Sequence, residues 1–212
     1  HTGVFSVKQL LEDCRDFFHD NALSSACNKV FSTQIIREWG LAMKEGMTLY
    51  EDFDFVLRYL ACVEQVCCVA HPFYHYRNDL EAVHLDSRVA SLDKVRENMS
   101  ALFQSARPLV QESVALREVC GNLYMLLLWQ HLKLSRYTVA ELKQYTVPYC
   151  ANPDFRAMLI PEVQLGGFEK ELFCKVENGE FRKLYYEILK SRMRTNTKRI
   201  VKKMVRAAGI QR

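Results

Sequence analysis

Residues 109–134 read LVQESVALREVCGNLYMLLLWQHLKL, and the fold turns on how this stretch is read. Its apolar residues continue a helical periodicity that starts at Val89 and runs through Leu92, Val95, Met99, Leu102 and Phe103. The longest apolar run inside it, Leu123 to Trp129, is far shorter than the 18 or more residues a bilayer-spanning helix needs. The stretch therefore predicts a core helix, not a membrane span. Pro108 is expected to break the chain before it, and a further helix is expected from Thr138 to Tyr145, ahead of Pro148.

Working outward, Asn152-Pro153-Asp154 and Gly166-Gly167 predict turns, and Phe181, Leu184, Tyr185, Ile188 and Leu189 mark the face of a last long helix. Upstream, Ser6 and Gln9 are spaced as a capping box for a helix that carries Val7, Leu10, Leu11, Cys14, Phe17 and Phe18 and ends near His19. Short helices are expected between Ser24 and Trp39, closed by Gly40. Thr48 and Glu51 form a second capping-box pattern before Phe53, Val56, Leu57 and Leu60. The β signal lies in the apolar run Val66 to Ala70 and the alternating Pro72 to Arg77. The expected architecture is mostly α with few strands, all before residue 85.

Composition supports a folded domain: 212 residues, 49% apolar and 25% charged, which excludes wholesale disorder and collagen-like classes. Eight cysteines, at positions 14, 27, 62, 67, 68, 120, 150 and 174, include no Cys-x-x-Cys pair, so zinc is not expected and a reducing cytoplasm is. No Gly-x-Ser-x-Gly elbow is present, which removes the hydrolase reading. The net charge of +4 is unevenly spread, since residues 192–212 carry eight Lys or Arg and no acid. Such a tail suits an acidic partner, either anionic lipid or nucleic acid.

The sharpest chemical feature is Glu51-Asp52-Phe53-Asp54. All three acids favour the positive end of a helix, and Asp54 stands four residues before Arg58, as for a solvent-face ion pair. Asp52 and Asp54, two apart on a helix, point about 200° away from each other and cannot chelate one ion. Asp52 is left with no evident structural partner and is a candidate general base. His71 and His75 are four apart, but Pro72 and the aromatics around it argue against a helical metal site.

Cys27-Asn28-Lys29-Val30-Phe31, then Glu51-Asp52, then Pro72-Phe73-Tyr74-His75-Tyr76-Arg77 form an ordered set. This set resembles the C-terminal half of the catalytic domain of bacterial family 2 glycosyltransferases, GT-A enzymes of capsular-polysaccharide and lipopolysaccharide synthesis. The resemblance covers roughly residues 24–80. It implies the acceptor-side half of a GT-A domain in residues 1–85, a helical extension over 86–191 and a basic amphipathic tail over 192–212. The implied activity is inverting transfer of a sugar from a nucleotide-sugar donor to a saccharide or lipid-linked acceptor. Asp52 would be the catalytic base and Glu51 would orient the acceptor. Asn28 and Lys29 would line or brace the site, and Tyr74, Tyr76 and Arg77 would contact the saccharide. Read from the residues themselves, Tyr74 and Tyr76 share one sheet face, and packing of the core is favoured over stacking on a sugar.

Mg²⁺ or Mn²⁺ is implied for the intact enzyme, with its ligands on an Asp-x-Asp strand of a donor half that would precede residue 1. The chain would then be a fragment, inactive alone. Association with the inner face of the plasma membrane through residues 192–212 is expected, and nucleic acid is not. The alternative is a non-catalytic helical interaction module whose basic tail binds nucleic acid or an acidic protein.

Overall fold

The computed structural model describes residues 2–19, 22–71, 74–75, 89 and 91–207. Strand β1 (Gly3–Ser6) runs straight into α1 (Val7–Glu12). The expected capping box is present: Gln9 N–H donates to Ser6 Oγ at 3.2 Å, and Ser6 N–H donates to Gln9 Oε1 at 2.9 Å. The single helix predicted to His19 is two, because Asp13 leaves the helical region (φ −95°, ψ 11°) before α2 (Cys14–His19) begins. A short α3 (Thr33–Glu38) follows, and Gly40 turns the chain at φ +58°, where a side chain would be strained.

Helix α4 (Glu51–Leu60) corrects the second capping-box expectation. Its N-cap is Tyr50, in the left-handed region at φ 57°, with no side-chain cap. Thr48 instead donates its N–H to Asn98 Oδ1 at 2.9 Å, so a tertiary partner displaces the local one. The β signal at Val66 becomes β2 (Gln65–Cys68), which pairs antiparallel with β1, Gly3 opposite Cys68 and Ser6 opposite Gln65. Val7 N–H to Glu64 O, at 2.9 Å, extends the pairing beyond the strands. Tyr74 and His75 are not in a strand, and the rest of the predicted Pro72–Arg77 strand lies outside the described residues.

The second half is helical, as expected. Helix α5 (Leu92–Val110) continues through Pro108, and α7 (Val139–Cys150) through Pro148. Both prolines sit in the last turn, where few backbone bonds remain to be lost. The break predicted at Pro108 falls at Gln111–Ser113. There Ser113 Oγ caps α6 (Val114–Leu134) by accepting Leu116 N–H at 3.0 Å, and it donates to Leu11 O at 2.9 Å. Asn152 caps α8 (Pro153–Met158), with Pro153 in its first turn, and Gly166 precedes α9 (Gly167–Glu177). The last helix, α10 (Phe181–Ala207), carries residues 192–207 as its own continuation.

Helix α6 buries apolar residues on most of its circumference and is accordingly central: α1, α2, α5, α8, α9 and α10 all pack on it. At Gly121 a Cβ would lie 2.9 Å from Leu165 Cδ2, so any larger residue would require the Leu165 side chain to shift. Tyr124 and Tyr149 stack with centroids 4.0 Å apart, and each hydroxyl donates to the other residue's carbonyl, at 2.8 and 2.9 Å. The buried phenols are thereby satisfied, and no buried side-chain N or O among the described residues lacks a partner. One apolar cluster runs from Val7 and Leu11 through Phe53 and Leu57 to Leu184 and Ile188. The chain is thus a mostly helical assembly with a two-stranded antiparallel sheet early in the sequence. No helix among the described residues is long and apolar enough to cross a membrane.

Candidate functional site

The acids of α4 separate by helical geometry. Asp54, expected at the solvent face, is fully buried, which corrects the sequence reading. The predicted Arg58 pair does form, Arg58 Nε donating to Asp54 Oδ2 at 2.9 Å, but it is one part of an inward network. Lys44 Nζ and Ser105 Oγ donate to Asp54 Oδ1 at 2.8 and 2.7 Å, and Arg58 Nη2 reaches Ala42 O at 2.6 Å. Asp54 therefore ties α4 to the preceding loop and to α5. Lys44 and Ser105 have no local sequence signal, so nothing short of the fold could have found this network.

Asp52, on the other side of the helix, is half-buried and does have a partner. Its Oδ2 accepts the Ala26 N–H at 3.2 Å. Ala26 belongs to the turn that carries Asn28 and Lys29, so three of the expected site residues converge although 23 or more positions separate Asp52 from the other two. Lys29 Nζ donates to Ala22 O, to Ser25 O at 2.5 Å and to Asn28 Oδ1 at 2.8 Å. Asn28 is exposed and also donates to Ala22 O at 3.4 Å. Burial pushes the Lys29 amine down to about 8, against the opposing pull of Asp52.

Glu51 is half-buried beside Asp52, and its side chain makes no hydrogen bond among the described residues. Tyr74 is half-exposed. Tyr76 and Arg77 lie outside the described residues, so their expected roles receive no geometry. Among the described residues no group of three or more His, Cys, Asp or Glu is placed to hold a metal ion. The ligands of the Mg²⁺ or Mn²⁺ that the resemblance implies are expected on a donor half and not among these residues. Two open clefts, of about 450 and 270 Å³, lie in the helical half, along α5 and α8, and neither includes Asp52.

No family model, no curated protein and no solved structure matches this chain. The site must be read from its own chemistry. A carboxylate oriented by a backbone N–H at the start of a helix, with an ammonium nearby, can accept a proton from a bound hydroxyl group. It can equally serve as a latch between α4 and the turn. One residue of the basic tail also has a defined place: Arg192 donates from Nε to Lys133 O at 2.9 Å and from Nη2 to Leu132 O at 2.8 Å, satisfying the end of α6.

Proposed function

We propose that residues 1–85 form the acceptor side of an inverting glycosyltransferase that uses a nucleotide-sugar donor, with Asp52 as its general base. The observation that supports this most is the convergence of Asp52 with the Ala26–Lys29 turn. In this reading Asp52 takes the proton of an acceptor hydroxyl as that oxygen bonds to the anomeric carbon and the bond to the nucleoside diphosphate breaks on the opposite face. Inversion follows from the single displacement. Glu51 orients the acceptor, Tyr74 and Tyr76 stack on it, and Arg77 contacts it. No step is assigned to a metal ion.

Residues 192–212 dock on an anionic membrane at the cytoplasmic face, where each basic residue near the surface contributes about 1 kcal/mol. Arg192 is committed to α6, which leaves seven of the eight basic residues for that surface. In the full-length protein, Asp52→Asn should lower sugar transfer by about 10² to 10⁴-fold, the usual loss for a general base. A rate within about threefold of wild type would end the assignment.

A second reading has its own support. The described residues are mostly helical and hold no metal-ligating group, which suits a non-catalytic interaction module better than a complete enzyme. Binding of the chain to duplex DNA or single-stranded RNA, with none to anionic vesicles in the same buffer, would favour the module. Removal of residues 192–212 should abolish whichever binding is found.

A further inference from the structure

We propose that Lys29 is the positioning residue of this site: its ammonium gathers the Ala22–Asn28 turn so that the Ala26 N–H holds Oδ2 of Asp52 and leaves Oδ1 to take the acceptor proton. The role rests on the reading of Asp52 as the base. Three acceptors, Ala22 O, Ser25 O and Asn28 Oδ1, converge on the three protons of one ammonium. Carbonyl dipoles that point at one another repel, so this turn needs a cation at its centre to keep its shape.

Other hydrogen bonds of the turn include Leu23 N–H to Phe17 O, Asn28 Nδ2 to Ala22 O, Lys29 N–H to Ala26 O and Cys27 N–H to Ser25 Oγ; the Leu23 side chain is buried in the core, and no helix or strand crosses residues 22–29. Ala26 sits between two of the tethered residues, Ser25 and Asn28, and its N–H is fixed as a consequence. A backbone N–H to a carboxylate is a charge-assisted bond, and one such bond settles the rotation of the carboxyl group. Among the described residues Oδ1 of Asp52 accepts no hydrogen bond. A base needs that arrangement, with one oxygen anchored and the other open.

The charged and titratable groups facing Lys29 are Asp52 from α4, Cys27 from its own turn and Cys68 from β2. Asp52 is the carboxylate among them, and its charge favours the ammonium form of Lys29 against the effect of burial. A lysine with no such task keeps its ammonium in water, whereas this one is half-buried against its hydration.

The test follows the Ala26 amide in the ¹⁵N-labelled chain as pH is lowered through the ionisation of Asp52. The amide proton should move as its carboxylate partner is protonated, and Asp52→Asn should remove the movement. Lys29→Met should also abolish it while leaving the thermal midpoint within a few degrees, as expected for a change outside the core. Lys29→Arg, which restores a cation with several donors, should bring the response back. An unchanged response in folded Lys29→Met overturns the proposal; if that variant does not fold, an unchanged response in Lys29→Gln does the same. An Asp52→Asn enzyme that kept its turnover would remove the transferase reading without touching the Ala26 response of the unsubstituted chain or its loss in Lys29→Met, so the two failures are distinguishable.

Discussion

Residues 22–50 and residues 92–188 are built on different principles. The first region holds its shape by polar tethers: Lys29 to three acceptors, Asp52 to Ala26, and Arg58 and Lys44 to the loop and to Asp54. Its one helix, α3, buries no residue, and Val30 (89%), Trp39 (59%) and Met43 (45%) are exposed. The second region is held by apolar packing around α6, with its few polar groups turned into caps and reciprocal hydrogen bonds. Tethers can set a carboxylate to within a few tenths of an ångström without a large core. Packing supplies the stability on which those tethers depend.

The comparison can be broken first by alkali, where the largest effect is expected. Burial pushes the Cys14 and Cys150 thiols up from 9.0 to about 12, and raises Cys120, Tyr124 and Tyr149 as well. Each is an acid kept neutral by the fold, so its contribution is fully present below the unfolded value and is lost as pH rises through the folded one. Stability should fall from about pH 9 to 12, with the loss centred on α6 and its neighbours. Hydrogen exchange that showed α6 and its neighbours as protected at pH 12 as at pH 8 would contradict this.

Asp54→Ala comes next, because it removes the one carboxylate between the two regions and leaves Lys44, Arg58 and Ser105 without their acceptor. Breaking a buried ion network this way costs about 3–5 kcal/mol, read from denaturant unfolding. A cost below about 1 kcal/mol would mean that the network does not join α4 to α5. The smallest effect sharpens the contrast. Trp39→Ala, on the exposed face after α3, should change stability by no more than about 0.5 kcal/mol, whereas Leu128→Ala in the fully buried wall of α6 should cost about 2–5. Equal losses at the two positions would show that the first region is packed like the second.

Much of the fold was legible because its signals are local. The capping box at Ser6, the helical period of α6 and the face of α10 depend on neighbours three to seven residues away, and each formed as read. The failures share a cause. Pro108 and Pro148 resemble breakers until their place in the last helical turn is known, and the Thr48–Glu51 pattern lost to Asn98, 50 residues away. For the site, the partner of Asp52 is a backbone N–H, which no side-chain pattern encodes.

The sequence by itself determined that the chain folds as helices around one long apolar segment, that strands are few and early, and that Asp52 and Asp54 face different ways. These follow from the 3.6-residue period and from side-chain type, which are properties of the covalent chain. Only the tertiary structure decided that Asp54 goes inward and Asp52 stays within reach of solvent, that β1 exists as the partner of β2, and that Arg192 ends α6 and does not belong to a free tail. Each of these depends on which of two faces meets the rest of the molecule. That choice is made by the total burial of apolar surface, a quantity no short stretch of sequence contains.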